Sequence, residues 1–135
     1  MKVKTSLRAG PSVTVADSPD AQLRAGEAQI RLEAALALLT GTVDAFEARI
    51  AQGEEPTQAD RIRVRRAIGF AAEQARRVVD DLFAAAGASA AALHQPIQRL
   101  WRDVSIGANH ASLDVPAINR MSGQHLFGLR PIGAH

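Results

Sequence analysis

Apolar positions along this chain recur every three or four residues over most of its length, the signature of helices rather than strands. The first pattern opens on Ser18, Pro19 and Asp20, a hydroxyl cap followed by a proline and an acid, and predicts a helix over 18–52 that ends at Gly53. Within it Ala25, Ala28, Leu32, Ala35, Leu39, Val43, Phe46 and Ile50 form a coiled-coil-like seam. A second line of Leu23, Ile30, Ala34, Ala37, Leu38, Ala45 and Ala48 lies opposite, so the helix is expected to be contacted from two directions. At 1.5 Å per residue it is close to 50 Å long, more than the diameter of an ordinary domain of this size. A turn at Gly53 to Pro56 leads to Thr57, three residues before Asp60, in a capping-box arrangement. That arrangement opens a second long helix over 57–86, with a buried stripe of Val64, Ile68, Ala71, Ala75, Val78, Val79 and Leu82. Pro96 starts a third helix over 96–110, whose apolar face is Ile97, Leu100, Trp101, Val104 and Ala108. Asp114 and Pro116 start a short fourth over 115–124.

The pattern predicts an all-α, up-and-down helical bundle with two very long helices, forming a single domain over 18–135. Residues 1–17 show no helical period and are expected to form an extended N-terminal arm, whose Lys2, Lys4 and Arg8 are basic. The tail from Phe127 to His135 reads as loop.

Composition narrows the function classes. The chain has 135 residues, 47% hydrophobic and 22% charged, which suits one globular domain. No apolar run is long enough to span a bilayer and the N-terminus has no secretory h-region, so the expected compartment is the cytoplasm. With no cysteine, disulfides, thiolate metal sites and cysteine nucleophiles are excluded, and four scattered histidines offer no paired ligand spacing for zinc. The pI near 9.9 looks basic, but the net charge is only +2, too mild for a committed nucleic-acid binder. Arginines at 61, 63, 65 and 66, with Arg76 and Arg77, suit a solvated or subunit-facing surface better than a nucleic-acid patch. Aromatic residues make up 4%, so the core must be built from small side chains that let helices approach closely.

His110 is the acid/base candidate, because an imidazole titrates near neutrality without extreme tuning. Arg99, Asp103 and His110 fall in one strip of the predicted third helix, with Gly107 leaving that side open. The plainer alternative is a histidine capping a helix C-terminus. The small-residue turn from Gly87 to Ala90 could bring backbone N–H groups near an anion, or could be an ordinary interhelical loop.

The runs Asp-Asp-Leu-Phe-Ala-Ala-Ala-Gly-Ala-Ser-Ala from Asp80, Gln-Pro-Ile-Gln-Arg-Leu-Trp-Arg-Asp-Val from Gln95 and Asn-His-Ala-Ser-Leu-Asp from Asn109 resemble a known family. It is the C-terminal helical domain of flavin-dependent two-component monooxygenases, of the group D hydroxylase type, built on the acyl-CoA dehydrogenase fold. Ala-Asp-Ser-Pro at 16–19 and Gly-Gln-His-Leu-Phe-Gly-Leu at 123–129 are similar as well. The resemblance implies reduced FMN or FAD, delivered by a separate flavin reductase, and hydroxylation of an aromatic, polyketide or heteroatom substrate. It implies a catalytic position for His110 near flavin and substrate, and cofactor contact by Gly87 and Ser89 toward the flavin of a neighbouring subunit. For Trp101, Arg102 and Asp103 it implies packing and salt bridging. The dehydrogenase branch needs a glutamate base after the third helix, and no glutamate follows Glu73.

The family's N-terminal helical and central β-domains, which supply most flavin and substrate contacts, have no counterpart in these residues. The resemblance therefore implies a part needing them in trans, with no flavin bound by the isolated chain as one outcome. A homodimer or tetramer is expected, because a three-helix monomer cannot cover the two-faced first helix. The alternatives are a stand-alone helical interaction protein without catalysis and, third, a weak arginine-rich nucleic-acid binder.

Overall fold

The computed structural model describes residues 8–9 and 13–133. Two long helices and two short ones form an up-and-down bundle, the architecture expected from the periodicity. Helix α1, Pro19–Ala51, starts where the Ser18 hydroxyl accepts the Ala21 N–H, and Pro19 occupies a position whose N–H would have had no helical partner. Helix α2, Gln58–Ala85, opens on a reciprocal capping box: the Thr57 hydroxyl accepts the Asp60 N–H while Asp60 accepts the Thr57 N–H. Helix α3, Pro96–Ala108, and helix α4, Val115–Leu126, complete the bundle, the latter capped by the Asp114 carboxylate, which accepts the Ala117 N–H.

Helix α2 is the mast. It contacts α1, α3 and α4, and its buried residues lie on more than one side. At about 100° per residue Ile62 and Gly69 share one side, and Ala67 and Val78 share the side roughly opposite. The single stripe read from the sequence included Val78 and Val79 but not Ile62, Ala67 or Gly69, and its member Ile68 is 40% exposed. Gly69 sits where α4 crosses: a β-carbon there would lie 3.0 Å from Ile118 Cδ1, so the missing side chain sets how closely the helices approach. Ala35, Ala67 and Ala90 are also buried, the small-residue core that the composition required.

Helix α1 is covered along one narrow line, with Ala35 and Thr42 buried and Ala28, Leu39 and Phe46 half-buried. Three members of the expected seam, Ala25, Leu32 and Ile50, are exposed. The second line is open, with Leu23 and Ile30 each 61% exposed, because among the described residues α2 is the helix that packs along α1.

The remaining differences are at the ends. In place of an arm extended throughout, a two-residue antiparallel ladder pairs β1, Arg8–Ala9, with β2, Val13–Thr14, and a 3-10 turn at Val15–Asp17 leads into α1. Residues 1–7, 10–12 and 134–135, including Lys2 and Lys4, lie outside the described residues. The tail folds back on the bundle: Leu129 N–H donates to Gln124 O, Ile132 N–H to Gln124 Oε1, and Arg65 Nη1 to Gly133 O. No described helix is long and apolar enough to cross a membrane.

Candidate functional site

Helix α3 stops at Ala108, two residues before the predicted end. Asn109 and His110 close its last turn by donating to Ile106 O and Gly107 O, and the backbone then turns extended at His110. His110 therefore leaves the polar strip of Arg99 and Asp103 and becomes the N-cap of a 3-10 turn at Ala111–Leu113. Its Nδ1 accepts the Ser112 N–H at 3.2 Å, with Ser112 Oγ 2.7 Å away. Arg99 and Asp103 stay on the outside of α3 as a 3.4 Å ion pair. Leu100, assigned to the buried face from the sequence, is 56% exposed.

His110 lines an open cleft of about 530 Å³ between α2 and the segment joining α3 to α4. Ala72, Ala108, Leu113, Val115 and Pro116 form its apolar wall, while Glu73, Arg76, Asn109 and Asp114 supply polar groups. Sequence reasoning missed Glu73 and Arg76 as cleft residues, because only the packing of α2 brings them beside His110. Glu73 is an anchored anion: the Arg77 hydrogen bond, and then Arg76, hold its carboxyl below the usual range. Arg76 reaches Glu73 at 3.4 Å and Asp80 at 2.9 Å.

The same lattice fixes the tryptophan. Trp101 Nε1 donates to Asp80 Oδ1 at 2.8 Å, and its ring stacks on Phe83 with centroids 4.8 Å apart. Trp101, Asp80, Arg76, Glu73 and Arg77 thus run as one chain of polar contacts from the α2–α3 interface into the cleft. The alternation of Glu73, Arg76, Arg77 and Asp80 at three and four residues was the available signal for this lattice.

Gly87 and Ser89 are not part of that cleft. Gly87 lies eleven positions beyond Arg76, roughly 16 Å along the helix direction. Its φ of +71° needs glycine, and nothing stands within 4 Å of where a β-carbon would be. Ser89 is exposed and donates its hydroxyl to Ala86 O at 3.4 Å. The three predicted site residues therefore fall at two separate places on one chain.

The cleft is within the size range of small-molecule sites and mixes an apolar wall with a few polar groups. It does not suit the phosphate end of a nucleotide, because Arg76, its one guanidinium, is already engaged by two carboxylates. No group of three or more His, Asp and Glu that could hold a metal ion occurs among the described residues.

Comparison with known proteins agrees with this architecture. Residues 2–115 match the acyl-CoA dehydrogenase, C-terminal domain family. The chain is 38% identical over 115 residues to the flavin-dependent monooxygenase oxygenase subunit HsaA of Mycobacterium tuberculosis (strain CDC 1551 / Oshkosh), an overlap of 85% of this chain and 29% of that protein. It is 32% identical over 138 residues to the oxygenase component of the FADH(2)-dependent resorcinol hydroxylase of Rhizobium sp. (strain MTP-10005), covering 99% of this chain and 34% of that protein. The crystal structure of the M. tuberculosis HsaA monooxygenase superposes with a TM-score of 0.81 at 38% identity, over 88% of this chain and 31% of that one. XiaF from Streptomyces sp., solved with FADH2 and glycerol, superposes with a TM-score of 0.85 at 26% identity, over 95% and 32%. The chain thus spans about a third of the length of these relatives. With the bundle and the family match in agreement, this chain belongs to the acyl-CoA dehydrogenase C-terminal domain family, and the relatives it matches are oxygenase parts of flavin-dependent monooxygenases.

Proposed function

We propose that this chain forms the C-terminal, flavin-side and assembly part of a reduced-flavin-dependent monooxygenase that hydroxylates an aromatic or similar substrate. The observation that carries the reading is the half-open cleft, with the Glu73–Arg76 pair on its α2 side, His110 on its α3–α4 side, and an outward face that the described residues leave open. The N-terminal and central parts present in the longer relatives would close it, either in trans or within one polypeptide. Reduced FMN or FAD, delivered by a separate reductase, supplies the activation of dioxygen when bound. His110 then meets the reacting end of the site, and Asn109 and Asp114 add polar contacts. The Gly87–Ser89 turn, just past the end of α2 and apart from the cleft, is assigned to the flavin of a neighbouring subunit, as the family resemblance implies.

Assembly as a homodimer or tetramer in the cytoplasm is part of the proposal. Its support is the open apolar line of α1, where Leu23 and Ile30 are each 61% exposed and Leu38 is 47% exposed. The test is an anaerobic titration with reduced FMN and reduced FAD, of this chain alone and mixed with the N-terminal and central parts of a relative. Binding that appears or tightens in the mixture, with hydroxylation reduced about 10²-fold or more by His110→Ala, is the expected result. Absence of flavin binding in both samples overturns the reading.

A further inference from the structure

We infer that the Ser112 backbone amide is a positioning group that fixes His110 with its proton on Nε2, so that His110 meets the occupant of the cleft as a hydrogen-bond donor and not as a proton acceptor. A backbone N–H can only donate. Nδ1 of His110, which accepts the Ser112 N–H at 3.2 Å, must therefore present a lone pair. Neutral imidazole carries a single N–H, which leaves it on Nε2. Ser112 Oγ, 2.7 Å from the same nitrogen, follows suit, since a hydroxyl turns its hydrogen toward whichever neighbour needs a donor.

The backbone enforces this geometry. His110 is the cap of the 3-10 turn, and its Nδ1 satisfies a first-turn N–H that the turn itself leaves without a partner. Taking a proton at Nδ1 would displace that N–H and undo the cap. Nε2 already carries its proton and cannot accept another while the cap is in place. The charged groups around the cleft do not offer Nδ1 a competing partner: Glu73 is held by Arg76 and Arg77, and an Asp114 oxygen accepts the Ala117 N–H at the start of α4. The acid/base role expected from the residue type thus gives way to that of a preorganised donor, the kind of group that stabilises negative charge developing on an oxygen.

The tautomer stands on the hydrogen bond alone, whereas its catalytic consequence rests on the flavin-site reading above. The experiment is long-range proton–nitrogen NMR on the uniformly ¹⁵N-labelled full chain in alkaline buffer, with exposed His94 as the internal reference. His110 is expected to show its proton on Nε2, with a coupling across the hydrogen bond between its Nδ1 and the Ser112 amide nitrogen. Ser112→Ala keeps the amide and should keep the pattern. Ser112→Pro removes the amide and should relax His110 to the tautomer mixture of His94. A proton on Nδ1, a wild-type mixture matching that of His94, or an unchanged pattern in a folded Ser112→Pro overturns the inference. Should the proline variant not fold, the cross-bond coupling in wild type and in Ser112→Ala decides alone. No flavin enters the measurement, so this inference and the flavin-site reading fail separately.

Discussion

Helices α1 and α2 are both long and both apolar in pattern, yet the chain treats them differently. α2 is packed on several sides and contributes Ile62, Ala67, Gly69, Val78 and Val79 to the core, whereas α1 contributes Ala35 and Thr42. The difference shows that apolar periodicity measures how much of a helix is meant to be covered, by this chain or by another. On α2 the covering elements are α1, α3 and α4; on α1 most of the apolar surface faces outward within a single chain. A mast surrounded by its own chain carries folding stability, while an outer helix with an open apolar line is suited to carry association.

The strongest way to break that comparison is to shorten one isoleucine on each helix. Ile62→Ala on α2, 3% exposed in the native chain, should lower the unfolding free energy by about 2–5 kcal/mol in urea titrations. Ile30→Ala on α1, 61% exposed, should change the stability of the monomer by no more than about 0.5 kcal/mol. If α1 is an association surface, the same Ile30→Ala change weakens self-association in sedimentation runs over a concentration series. Equal stability losses for the two changes would remove the distinction between mast and outer helix.

A smaller effect separates the two interfaces of α2. Trp101→Phe keeps an aromatic ring against Phe83 but loses the N–H donated to Asp80, and should cost about 1–2 kcal/mol. Asp80 keeps Arg76 as a partner, so the carboxylate is not left alone. An unchanged urea midpoint would mean that the lattice from Trp101 to Glu73 contributes nothing to holding α3 on α2.

Features made of neighbours in sequence were legible, and those made by packing were not. Ser18 with Pro19, Thr57 with Asp60, Pro96, and Asp114 with Pro116 all mark helix starts through contacts within about one turn, so residue order alone reveals them. Gly69 under Ile118 is a contact between residues far apart in the chain, and glycine inside a helical pattern carries no sign of which helix will cross it. His110 shows the boundary case. Its spacing from Arg99 and Asp103 is helical, but the helix ends at Ala108 because the Ser112 amide offers the imidazole a local partner. Glu73 and Arg76 were legible as an ion-pair ladder and illegible as cleft residues, since the cleft exists only once α3 and α4 are docked.

The finest test compares the two helices through acid. On α2, Asp60 is held below the usual carboxylate range by the Thr57 hydroxyl and amide and then by Arg49 of α1, and Glu73 is held low by Arg77 and then Arg76. A carboxyl whose pKa is lower in the folded chain than in the unfolded one stabilises the fold above the unfolded value, about 3.9 for Asp and about 4.3 for Glu. That contribution is lost as pH falls through the folded value. Urea midpoints should therefore be level from neutrality to about pH 5 in this respect and decline below it. Glu73→Gln should flatten the part of the decline that belongs to the middle of α2, and Asp60→Asn the part at its junction with α1. A double variant whose midpoints fall with acid as steeply as the wild type would place the acid sensitivity elsewhere, and with it the idea that the charges of α2 help to make it the mast.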